Sequence, residues 1–151
     1  MDFIPDQECE ETDMEENESP KVASIRNEWD WVKPGIEEIL NESPQFAYRP
    51  EDVYADCING KAQLWVTEEG FVVTTAEYDS TREETYCFVW LAWAKVKGNN
   101  VALKHEQFFI DQAMNAGYDG IKFTTTSTVI ADYAVQKAGW CMNKIELMRK
   151  F

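Results

Sequence analysis

The stretch WLAWAKVKGNNVALKHEQFFIDQAMNAGYDGIKF, Trp90 to Phe123, holds the residues whose spacing bears most directly on chemistry. An apolar run ends at Val96, a Gly-Asn-Asn turn follows, then a helical pattern and a short alternating segment. Strand, turn, helix and strand in that order set backbone amides and a helix N-terminus where a phosphate is held in many coenzyme-binding folds. Val96, Lys97, Gly98, Asn99 and Asn100 are therefore the candidate cofactor-binding residues. Gly98 is the sole glycine of the turn, and asparagine tolerates a left-handed backbone. Lys95, Lys97 and Lys104 add positive charge. The same residues also serve as a plain connection between strand and helix.

Other chemical constellations are missing from the sequence. It has no Gly-x-Ser-x-Gly elbow, no Walker A turn and no His-Glu-x-x-His. His105, the single histidine, lies in a helical segment without a ligand set, so no metal site is expected. Cys9, Cys57, Cys87 and Cys141 form no Cys-x-x-Cys pair. Cys57, Cys87 and Cys141 are expected as free thiols in the core rather than as nucleophiles.

The elements that position these residues follow from periodicity. Ile25, Trp29, Val32, Ile36 and Leu40 recur at helical spacing, and Pro34-Gly35 predicts a kink or a restart within that helix. RPEDVYADCING opens a second helix with Pro50 and stops it at Gly60. KAQLWVT, FVVTTAEY and TYCFVWLAWAKV are strands joined by short connections, hence an antiparallel meander. The third is apolar from Tyr86 to Ala94, as suits a central strand covered on both faces, with Trp90 and Trp93 expected on opposite sides. VALKHEQFFIDQAMNAG is a helix stopped by Gly117, and YDGIKFTT is a strand. STVIADYAVQKAG is a helix capped by Ser127 or Thr128, and WCMNKIELMRKF is expected as a closing strand. The fold class is α/β (α+β): a mixed sheet, meander plus a βαβ crossover, with helices on both faces.

Charge divides the chain. Nine of its 28 acids lie in the first twenty residues, and without them the net charge of −14 falls to −5. Residues 1–22 are expected as an acidic, disordered tail and 23–151 as one domain. Net acidity argues against direct nucleic-acid binding. No apolar run approaches the ~20 residues that span a bilayer, so no membrane role is expected and the protein is expected in the cytoplasm.

This order of elements, with ADYAVQKAGW ending the last helix, resembles the GNAT superfamily of N-acetyltransferases over roughly residues 24 to 151. Ala131 and Gly139-Trp140 match the family's Ala-x-x-x-Tyr-x-x-x-Gly-Phe helix end. Three pieces also resemble small GNAT-like proteins of tailed phages. They are Trp29, Val32 and Pro34; Pro50, Glu51, Asp52 and Tyr54; and Gly60, Gln63, Leu64, Trp65 and Val66.

The resemblance implies acetyl-CoA as cofactor, bound at an Arg/Gln-x-x-Gly-x-Gly/Ala turn, but KVKGNNVALKH keeps one glycine and no arginine. The family's general-acid tyrosine falls on Val135, with Tyr133 two residues earlier as a candidate facing elsewhere. Glu69 and Glu77 are the candidate general bases of the central strands. The leading expectation is thus a non-catalytic GNAT-like phage protein with a protein partner, in the virion or the host cell. Its role would be virion component, assembly factor or modulator of a host protein, with the acidic tail as a docking segment; Trp29 or Trp31 could anchor a contact, but helix packing is the favoured reading for both. The alternatives are an active acetyl-CoA-dependent N-acetyltransferase and an acidic nucleic-acid mimic.

Overall fold

The computed structural model describes residues 19–151, so the acidic segment 1–18, with its expected disorder, docking and mimicry, lies outside the described residues. A short strand β1 (Lys21–Ala23) leads into helix α1 (Ile25–Glu42), followed by α2 (Pro50–Ile58). Pro50 starts α2 with φ already set, and the Arg49 N–H donates to the Asp52 carboxylate at 2.9 Å. Then come β2 (Ala62–Val66), β3 (Gly70–Asp79) and β4 (Glu84–Ala94), each antiparallel to the one before. A four-residue helix α3 (Val101–Lys104) and α4 (Glu106–Asn115) cross to β5 (Gly120–Phe123), and α5 (Thr128–Lys137) follows. The sheet order is β1-β2-β3-β4-β5, with β5 parallel to β4, which is the mixed sheet expected.

Both faces of the sheet are covered, which explains the unbroken apolar runs in β3 and β4. On one side Ile25, Val32 and Ile36 of α1 and Val53 of α2 pack on Leu64, Phe71, Val73 and Leu91. On the other, Val101 and Phe109 pack on Val72 and Val89.

Four expectations need correction. First, α1 continues through Pro34 without the restart that was one of the two expectations there. Gly35 marks close approach rather than a break, for a Cβ there would lie 2.7 Å from Phe71 Cε2 and 2.9 Å from Trp93 Cδ2. Second, the helix expected after the Gly-Asn-Asn turn is interrupted at His105, whose backbone (φ −104°, ψ 27°) leaves the helical region. Third, WCMNKIELMRKF forms no strand, because no β-ladder engages it: residues 139–151 carry no regular structure. Fourth, Trp90 and Trp93 pack against the same core, on the α1–α2 side. The cause is a β-bulge: Val73 pairs with Leu91 but Thr74 with Val89, so Trp90 is an extra residue that reverses the alternation. No helix among the described residues is long and apolar enough to cross a membrane.

Gly35→Ala isolates the packing of α1. Alanine gains ~1 kcal/mol of helix propensity over glycine, yet its methyl must displace two rigid rings, and overpacking costs about 1–3 kcal/mol. The expected outcome is net destabilisation in urea denaturation; a more stable variant would disprove the close seat.

Candidate functional site

The β-bulge also makes the site. The parallel ladder runs from Tyr86↔Gly120 to Val89↔Phe123 and stops where Trp90 interrupts β4. Beyond that point β4 continues to Ala94 while β5 has ended, so the sheet opens into a cleft. A cavity of about 270 Å³ fills it, walled by Val89 to Ala92 of β4, Phe109 of α4, Ile121 and Phe123 of β5, and Ile130 of α5.

One wall comes from the loop after α1. Tyr48 packs edge-on against Trp90, ring centroids 5.3 Å apart, and stacks with Phe46 at 6.1 Å. The Tyr48 hydroxyl is buried and has no hydrogen-bond partner among the described residues. Burial pushes its pKa up to about 12, so at neutral pH it is a protonated donor held at a largely apolar cavity. Such a group suits a ligand oxygen, since a buried hydroxyl left unmatched is costly.

At the other end stands the candidate phosphate turn. Gly98 adopts φ +92°, and the Asn99 N–H donates back to the Val96 carbonyl at 3.4 Å. Asn100 caps α3: its side-chain oxygen accepts the Leu103 N–H and its carbonyl the Lys104 N–H, both at 2.9 Å. The Leu103 and Lys104 amides are thus satisfied by Asn100, and the Asn99 amide by Val96. The interruption at His105 brings Glu106 into the first turn of α4, where its carboxylate lines the cavity and accepts the Trp140 indole N–H at 2.6 Å. Across the mouth, Glu42 at the end of α1 holds Lys97 at 2.9 Å, and Ser43 meets Thr126 at 3.0 Å, hydroxyl to hydroxyl.

Of the five turn residues named from the sequence, Asn100 alone lines the cavity; Val96 is exposed and Lys97 is paired with Glu42. Glu69 lies in the β2–β3 turn, paired with Lys104, and Glu77 on β3 is paired with Lys122 at 2.6 Å. Tyr133 is exposed on α5. Glu69, Glu77 and Tyr133 all sit outside the cavity lining. Cys57 is half-buried, its thiol pushed up to about 11 by burial and by Asp56, and Cys87 is buried. Cys141 is exposed, a correction to its expected core placement that follows from the missing last strand. No three His, Cys, Asp or Glu residues cluster as a metal site among the described residues.

Tyr48, Glu106 and Trp140 were not legible as site residues. The one available signal was aromatic density, Phe46 and Tyr48 in a short loop just before Pro50.

No family model matches the sequence, and no curated protein resembles it significantly. Solved structures do resemble the fold. A probable acetyltransferase superposes with a TM-score of 0.65 at 11% identity, over 87% of this chain and 96% of the other. A ribosomal-protein-alanine N-acetyltransferase from Brucella melitensis biovar Abortus 2308 gives 0.62 at 8% identity, over 88% and 99%. An integron cassette protein from the mobile metagenome of Cole Harbour Salt Marsh gives 0.60 at 15%, over 89% and 91%. At such identities the likeness establishes the fold, and the fold is GNAT-like.

Tyr48→Phe tests the free hydroxyl. With no partner lost and a buried, unmatched hydroxyl removed, stability at pH 7 should hold or rise, by up to about 1 kcal/mol. The unfolded phenol ionises near 10.0 and the folded one near 12, so stability is undiminished below pH 10 and declines as pH rises towards 12. Denaturation across that window should show a shallower alkaline decline in the variant. A loss near 1 kcal/mol at pH 7 would mean the hydroxyl is held by the protein.

Proposed function

We propose that this chain is a non-catalytic GNAT-like protein that acts by binding another protein, of the kind encoded by tailed phages. The role is that of a virion component, an assembly factor or a modulator of a host protein, in the host cytoplasm or in the particle. The observation that carries the non-catalytic part is the mouth of the cleft. There the Leu103 amide is capped by Asn100, and the Glu106 carboxylate stands in the first turn of α4. A pyrophosphate needs bare amides and positive potential at that place, and a carboxylate in its stead repels it. The residues present therefore do not fit acetyl-CoA in the family's manner. The phage relationship rests on the three sequence pieces from Trp29 to Val66.

A second reading, an acetyl-CoA-dependent N-acetyltransferase, has one observation in its favour: the cleft between β4 and β5 remains open at about 270 Å³. Calorimetric titration with acetyl-CoA and with CoA separates the two. The expected result is no binding at millimolar ligand, together with capture of a protein from phage-infected cells that coenzyme does not displace. Micromolar binding with acetyl transfer to an amine would overturn the proposal and establish the enzyme.

A further inference from the structure

The Tyr48 hydroxyl is a polar group of the cleft that the chain itself does not answer. It is buried, it belongs to a residue lining the cavity, and it has no hydrogen-bond partner among the described residues. Its position is set by packing rather than by a bond, since the ring is wedged edge-on against Trp90 and stacked with Phe46. A donor held in this way favours an occupant that brings an acceptor, because a buried hydroxyl left unmatched is costly.

Size, walls and charge narrow the occupant. A cavity of about 150 Å³ holds benzene, so one of about 270 Å³ has room for about eleven non-hydrogen atoms. The walls carry two edge-to-face pairs, Tyr48 on Trp90 and Phe123 on Trp140, together with the buried Phe109. A flat ring finds both faces and edges to pair with there. Charge then selects among rings. The Glu106 carboxylate lines the cavity and is fixed by the Trp140 indole N–H, so an anionic ligand meets like charge. An ammonium or amidinium group only donates, which leaves the Tyr48 proton unmatched, and it gives up its hydration among apolar walls. A carbonyl oxygen accepts from Tyr48 without carrying charge, and an N–H beside it suits the acceptor capacity that Glu106 retains.

We infer that the cleft between β4 and β5 binds a small, neutral aromatic compound with a carbonyl oxygen, an aryl amide being the best match, and that this oxygen accepts the Tyr48 hydroxyl proton. Tyr48 then sets the requirement for an acceptor, and Glu106 sets the discrimination against anions. The site calls for no phosphate contact and no transfer of a group. It goes beyond the protein-binding role proposed above and does not depend on it.

Probes of nearly one shape and different charge test it on the full chain: benzamide, benzoate, benzamidinium and isopropylbenzene. Titrations are followed by NMR at the methyl groups of Ile121 and Ile130, both of which line the cavity. Benzamide should bind with a Kd below about 1 mM, which good contacts per atom allow for a ligand of that size. Benzoate and benzamidinium should each bind about tenfold more weakly or worse. Tyr48→Phe should weaken benzamide by about fivefold or more and leave isopropylbenzene unchanged, since the latter has no acceptor. Glu106→Gln keeps an acceptor for the Trp140 N–H and removes the charge, so benzoate should gain about tenfold or more. Methyl resonances that move with no probe would overturn the inference. So would benzoate or benzamidinium binding as tightly as benzamide, or a Tyr48→Phe variant that binds benzamide as the native chain does.

Discussion

One extra residue in β4 determines most of what distinguishes this fold. Trp90 has no partner across the β3 ladder, so the strand bends and its alternation reverses. Two consequences follow from that single slip. Trp90 joins Leu91 and Trp93 on the α1–α2 side, where it forms the floor against which Tyr48 packs. Beyond Val89 the hydrogen bonds to β5 cease, so the sheet parts at the point where the cavity lies. An uninterrupted β4 would carry its ladder further and leave little space for a ligand of any kind.

The bulge is held in place from the α1 side. Gly35 lets the helix backbone come down on Phe71 and Trp93, whose rings stack with centroids 5.6 Å apart. Trp93 then donates its indole N–H to Glu38 of the same helix at 3.0 Å, and Trp31 closes over both rings. This aromatic layer is rigid, because each ring has few rotamers and two or more neighbours. It fixes α1 relative to β4, and therefore fixes Glu42 and Ser43 at the cleft mouth. The ion pair and hydroxyl contact made there are exposed and contribute little to stability. Their effect is positional, joining the end of α1 to the turns after β4 and β5.

Periodicity was enough to read the meander, the crossover and four helical segments, though not the split of the third at His105, because burial on one or two faces writes itself directly into residue spacing. It failed where the deciding fact was a contact between distant parts. Pro34-Gly35 looks like a helix breaker in sequence, and only the nearness of Phe71 and Trp93 shows why glycine is there. An extra tryptophan in an apolar run leaves no trace, since Trp90 is as apolar as its neighbours. The site was less legible than the fold for the same reason. Tyr48, Glu106 and Trp140 come from three separate segments, and none has a motif around it. The segment from Cys141 onward was read as a strand, but Met142 and Met148 share the parity of Lys144, Glu146 and Lys150, so it has no single apolar face, and no ladder engages it.

The cleft shows how a scaffold and its chemistry come apart. Its shape depends on backbone pairing and packed rings, which many sequences satisfy, whereas anion binding depends on a few amides and the sign of a few charges. Here one amide and one charge at the cleft mouth carry the proposed reading. Asn100 satisfies the Leu103 amide, the helix is split so that its first piece is four residues long, and Glu106 brings a carboxylate to the second. Two like unit charges 4 Å apart near a protein surface repel by about 4 kcal/mol, about a thousandfold in binding. Glu106 is also bonded to Trp140, which packs on Phe123, so the carboxylate is built into the wall of the cleft and cannot simply swing aside. The chamber keeps apolar walls from β4, β5 and α4, hydroxyls from Ser43, Thr124, Thr125, Thr126 and Ser127, and the Tyr48 hydroxyl, buried without a partner among the described residues. On the non-catalytic reading proposed here, the Glu106 carboxylate and the Tyr48 hydroxyl favour a neutral or weakly polar occupant over a doubly charged pyrophosphate.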